Sequence, residues 1–270
     1  MPVVGAYLVP GTPLPYLVQD NPPWSPIIEG YRKAALSLAQ KKPDVLLVYS
    51  TQWIAVLDEL WQTRRRVQGL HVDENWYEYG ELPYDLRIDS RLAKACVKGC
   101  AALGVKAKEV DYDGFPIDTG TIVAANLLDP DGKIPMVIAA NNLYHGPELT
   151  EKLARMAVKT ANSQKKRVAV IGVGGLSGTV FRKEINIAKD RIASATDDKA
   201  NKKLLGLMRR GDSTGLQKYL PAYAGAARAD MGMKHLNWIM GALRWRFGGA
   251  KVLAYGPAYG SGAAVVEILL

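Results

Sequence analysis

"KRVAVIGVGGLSG", residues 166–178, decides the fold. After two basic residues the run is apolar on both faces, and it ends in four glycines within seven positions, Gly172 to Gly178. A short run of this kind reads as a strand covered on both sides, with its loop at the strand's C-terminal end. The loop matches no phosphate or nucleophile motif. Counting Gly-x-Gly-x-x-Gly from Gly172, the third position falls on Ser177, and no Gly-Lys-Ser/Thr follows. Gly-x-Ser-x-Gly fails as well, because Thr179 stands two residues beyond Ser177.

Outward from this stretch the same pattern recurs. "VVGAYLV" (3–9), "DVLLVYS" (44–50) and "IPMVIAAN" (134–141) are apolar strands, and "VKAKEVD" (105–111) alternates like one. Helical patterns lie between them. "SPIIEGYRKAALSLAQKK" (25–42) places Ser25 as N-cap with Pro26 in the first turn, and "SRLAKACVKGCAALG" (90–104) stops at Gly104. "GTIVAANLL" (120–128) is a short buried helix and "PELTEKLARMAVKTANS" (147–163) a longer one. Three helical stretches follow residue 195, and "KVLAYG…GSGAAVVEILL" closes the chain with one or two strands. Strands and helices in alternation predict an α/β fold: a mostly parallel central sheet, helices on both faces and a helical C-terminal region. No repeat or linker interrupts residues 1–270, which read as a single domain.

Composition narrows the class. The chain has 270 residues, 48% of them hydrophobic and 23% charged, ordinary values for a globular protein. No apolar run approaches the roughly 20 residues of a membrane span, and the N-terminus carries no export signal, so a cytoplasmic location is expected. Cys96 and Cys100, four apart on a helix, read as small buried groups rather than ligands. The net charge of +9 comes from scattered short clusters such as Arg64–Arg66 and Lys165–Arg167. No recognition helix or zinc-finger spacing accompanies them, so nucleic acid is not expected as a partner, whereas an acidic protein is.

Ligands in such sheets sit beyond the C-terminal strand ends. Four loops therefore build the site: "PGTPLP" (10–15), "STQW" (50–53), "NNLYHG" (141–146) and "GGLSG" (174–178). They carry few catalytic groups. Of the three histidines only His145 lies on one of them. His71 sits in a polar, aromatic loop, "GLHVDENWYEYGEL", and His235 reads as the polar side of a helix. Ser177 has no histidine within reach by spacing.

Taken together, "YLVPGTPLPYL…NPP", "KPDVLLVYSTQWI", "ANNLYHG" and "GVGGLSGTVF" resemble, in order and spacing, the class III extradiol dioxygenases of protocatechuate 4,5-dioxygenase fold. The resemblance covers nearly the whole chain. It implies that the first two loops bring iron-ligating histidines, that Leu-Ser-His brings an acid/base, and that a glutamate before a helical tryptophan completes the iron site. This chain has Gly11, Gln52, Gly178 and Asp230 at the matching positions, Asp230 lying eight residues before Trp238. The resemblance thus implies a catalytically silent subunit that binds no iron and has no catalytic residue. Fe(II) and chemistry belong to a homologous catalytic β subunit, in an α2β2 heterotetramer. Trp53, Ser177 and His145 remain as pocket residues. Two alternatives stand beside this reading: a stand-alone protein binding an aromatic ligand, and an enzyme centred on His145 or Ser177.

Overall fold

Strand β1 (Val3–Val9) runs through the middle of the protein, and from Ala6 onward its residues are almost inaccessible to solvent. The computed structural model describes residues 3–270. Beside β1 lie β8 (Val168–Val173), β2 (Val45–Ala55) and β7 (Met136–Asn142), all mutually parallel and all apolar on both faces. These four are the continuous apolar strands the sequence predicts, and they form the centre of an eight-stranded sheet. The strand expected at 105–111 and the closing strands also form, on its flanks.

The flanks are mixed. On one side β3 (Glu59–Gln62) pairs antiparallel with β7 and parallel with β6 (Ala107–Val110). On the other side β10 (Ser261–Leu269) pairs antiparallel with β1, and β9 (Gly249–Ala258) with β10. A separate hairpin joins β4 (Arg66–His71) to β5 (Leu82–Arg87). The expected mostly parallel sheet is therefore right at its core, with mixed pairing at its flanks. The sequence reading contained neither β3 nor this hairpin, and placed His71 in a loop where it ends β4.

Helices cover both faces. On one face α2 (Ser25–Lys41) and α4 (Thr119–Leu128) enclose a core with Tyr7, Tyr31, Val48 and Ile171. On the other, α3 (Ser90–Cys100), α5 (Pro147–Ser163), α6 (Ala195–Arg209), α7 (Ser213–Ala226) and α8 (Lys234–Leu243) pack around Leu8, Leu47, Val170 and Trp238. Cys96 and Cys100 are free thiols in this second core, and burial raises both, Cys100 to about 12. A short helix α1 (Leu14–Leu17) follows β1.

Local chemistry sets the helix ends. Asp89 and Asp118 cap α3 and α4 by accepting from Leu92 N–H and Thr121 N–H. Gly104, at φ +69°, stops the α3 segment as expected. Ser25 is not the cap of α2. Trp24 holds that position, and the Ser25 hydroxyl donates to the Pro22 carbonyl instead. No helix among the described residues is long and apolar enough to cross a membrane.

Candidate functional site

Adjacent strands bring the first three site positions together. β2, β8 and β1 are neighbours in the sheet and all point the same way, so Gln52, Gly178 and Gly11 emerge side by side at their C-terminal ends. Asp230 arrives from the turn before α8. All four line one cavity of about 380 Å³, together with Ser177. A second cavity of about 650 Å³ opens beside it, sharing Gln52 and Asp230 and taking Trp53 into its wall.

Each position is held. The buried Tyr31 hydroxyl donates to the Pro10 carbonyl at 2.5 Å, which fixes the first loop just before Gly11. Gln52 Oε1 accepts from the Gly120 N–H at 2.7 Å, and its Nε2 faces the Gly11 carbonyl at 3.4 Å. The Gln52 amide therefore ties the start of α4 to the loop after β1. Asp230 Oδ2 accepts from the Thr51 hydroxyl at 2.7 Å and from the Gly175 N–H at 2.8 Å. Three successive residues with positive φ, Met231, Gly232 and Met233, then turn the chain from Asp230 into α8.

The glycine-rich stretch owes its composition to close approach. A Cβ on Gly172 would fall on the His235 carbonyl oxygen at the start of α8, and one on Gly178 would fall on the Arg228 carbonyl oxygen. The turn is thus pressed against the 228–235 segment, and only glycine admits that contact. Ser177 is bound on both sides: its hydroxyl oxygen accepts from Asn201 Nδ2 at 2.9 Å and from the Gly262 N–H at 3.1 Å.

Buried titratable groups lie beside the two cavities. His235, expected on a polar helix face, is instead fully buried behind Asp230, and neither ring nitrogen has a hydrogen-bond partner. Burial lowers its pKa, the nearby Asp230 charge opposing, so the ring is neutral. Burial also raises the Asp118 carboxyl above the usual carboxylate range, against hydrogen bonds from Ser50 and Thr121.

This donor set does not fit a ferrous ring-opening centre, which takes two imidazoles and one carboxylate on one face of the metal. The cavity offers one carboxylate, whose Oδ2 is already engaged twice, and one amide engaged at both ends. Among the described residues no group of three His, Cys, Asp or Glu side chains is arranged to hold a metal ion.

His145 stands apart from the cavity. Its Nδ1 comes within 2.9 Å of Glu59 Oε2 on β3, without hydrogen-bond alignment. Lys234 Nζ donates nearby to Asn141 Oδ1 at 3.2 Å and to the Asn142 carbonyl at 2.8 Å. Burial lowers Lys234 and raises Glu59. Nothing in the local sequence pattern signals Glu59 or Lys234, because their partners are about ninety residues away. The chain of contacts from His71 through Thr119 to Asp73 was equally invisible, although His71 and Asp73 are two residues apart.

Doubly covered strands, loops gathered at their C-terminal ends and a cavity at the ends of β1, β2 and β8 make this an α/β protein with its candidate site beyond the carboxyl ends of the sheet. The chain belongs to the family described as the catalytic LigB subunit of aromatic ring-opening dioxygenase, whose model matches residues 5–266. It is 52% identical over 268 residues to the 2-aminophenol 1,6-dioxygenase alpha subunit of a Pseudomonas species, covering 99% of each chain. To the 2-aminophenol 1,6-dioxygenase beta subunit, also from a Pseudomonas species, it is 26% identical over 98% of this chain and 93% of the other. An uncharacterized Escherichia coli K12 protein of known crystal structure shares the fold, with a TM-score of 0.67 at 13% identity over 99% of this chain and all of the other.

Proposed function

We propose that this chain is the silent α subunit of a heteromeric 2-aminophenol 1,6-dioxygenase, a one-domain structural partner to a homologous catalytic β subunit. In that complex O2-dependent opening of the 2-aminophenol ring to 2-aminomuconate semialdehyde takes place on the β subunit, with Fe(II) bound there. The observation that carries the reading is Gln52, an amide bonded at both ends, at the position for which the family resemblance implies an iron-ligating imidazole. Gly11 and Gly178 support it, since neither has a side chain that ligates metal or moves a proton. Asp230 alone cannot hold iron. The likeness to both an alpha and a beta subunit supports a heteromeric assembly, which we read as α2β2 and cytoplasmic.

Co-expression with a β-type homologue tests the proposal. The two chains should elute together, iron should follow the β chain in stoichiometric amount, and oxygen uptake with 2-aminophenol should need it. Turnover of 2-aminophenol by this chain alone would overturn the reading.

A further inference from the structure

The larger cavity differs in charge from the protein around it. The whole chain carries +9, yet no lysine or arginine lines this cavity, while Asp73, Glu74, Asp118 and Asp230 do. An acidic recess in a basic chain repels anions and attracts neutral or cationic groups. Its wall is aromatic. Trp53 meets Phe115 edge-on with centroids 6.3 Å apart, and Trp76 packs on Tyr259 at 4.7 Å. Aromatic walls of this kind take flat rings and also attract cationic substituents.

The tautomer of one side chain follows from counting protons. Thr119 Oγ1 donates to Asp73 Oδ2 at 2.8 Å, which uses its single proton. His71 Nε2 lies 2.8 Å from the same Thr119 oxygen, so Nε2 must carry the hydrogen and donate it. With Nε2 engaged, Nδ1 is the ring nitrogen left to accept, on a residue that lines the cavity. An acceptor beside two aromatic pairs makes a site whose complement is a flat ring bearing an N–H or O–H donor.

We propose that this cavity is a non-catalytic binding site for small aromatic amines and aminophenols, with His71 Nδ1 accepting from the ligand's amino or hydroxyl group, and that it excludes aromatic carboxylates. The proposal rests on the silent-subunit reading only in that the ligand is held and not turned over. Gly11 and Gly178 lie outside this cavity, and Gln52 lines it with an amide already bonded at both ends.

Isothermal titration of the full chain with 2-aminophenol and, separately, with benzoate is the test. Saturable binding of 2-aminophenol, with benzoate at least about tenfold weaker, is expected from the charge of the cavity. His71→Phe keeps a ring and removes the acceptor, and should weaken 2-aminophenol about tenfold, the equivalent of one hydrogen bond. His71→Asn, which keeps an acceptor, should lose less. Benzoate binding as tightly as 2-aminophenol, or no saturable binding by the wild type, overturns the proposal without need of any variant. Unchanged affinity in a folded His71→Phe overturns it too. Co-elution with a β chain and the location of iron are read separately, so failure here leaves the subunit assignment standing.

Discussion

Gln52 on β2 and Gly120 at the start of α4 are joined by a 2.7 Å hydrogen bond from the Gly120 N–H to the Gln52 side-chain oxygen. The amide thereby ties the loop after β1 to the start of α4. It satisfies one of the free N–H groups that every helix start presents.

Removing this amide should therefore loosen the start of α4. Gln52→Ala is expected to cost about 1 kcal/mol, the usual worth of one intramolecular hydrogen bond. Thermal unfolding measures it. An unchanged melting temperature would mean that water replaces the bond at no cost.

Restoring a side chain at Gly178 should be destabilising. The Arg228 carbonyl occupies the space of a Cβ there, and overpacking of this kind costs about 1–3 kcal/mol. Gly178→Ala should melt lower than wild type, and Gly178→His lower still. If Gly178→Ala melts with the wild type, the 228–230 segment yields freely and the acid/base position is open after all.

Rebuilding iron ligands meets a second obstacle. A Cβ on Gly11 would sit 3.0 Å from Gly120 Cα and 3.1 Å from Val173 Cγ1, so an imidazole there has to push α4 aside. Gly11→His with Gln52→His should bind Fe(II) only weakly in anaerobic titration, and Asp230→Glu should strengthen it by adding reach to the carboxylate. Equal affinity in wild type, double and triple variants would show that these positions do not converge on a metal.

Acid stability should depend on Glu267. Burial would raise its carboxyl, but the Ser37 hydroxyl, donating at 2.7 Å, and Lys41 at 3.1 Å outweigh this and hold it low. A lowered carboxyl stabilises the fold above its unfolded pKa, and that contribution is lost as pH falls through the folded one. Glu267→Gln should narrow the stability gap to wild type as pH drops below the ordinary glutamate value of about 4.3. Denaturant titrations at neutral pH and at about pH 3 measure the gap. A gap that stays constant would remove Glu267 from the acid response.

Much of this protein was determined by the sequence by itself. Continuous apolar runs such as Val168–Val173 are satisfied inside a doubly covered sheet, so the central strands and their order along the chain were legible, as was the glycine stop at Gly104. So were three of the four expected loops, those carrying Gly11, Gln52 and Gly178; the fourth, residues 141–146, lies apart from the cavity. Tertiary structure alone decided the rest. β3 is four residues long and gains its stability from partners on β6 and β7, and β4 and β5 hold one another across a ten-residue gap, so local pattern could not mark them. The burial of His235 depends on how closely α8 presses on Gly172, a distance no spacing encodes. The acidic lining of the larger cavity was hidden for the same reason. Net charge is a sum along the chain, whereas the field inside a cavity is set by the few side chains that folding brings to its wall, and in this protein the two have opposite sign.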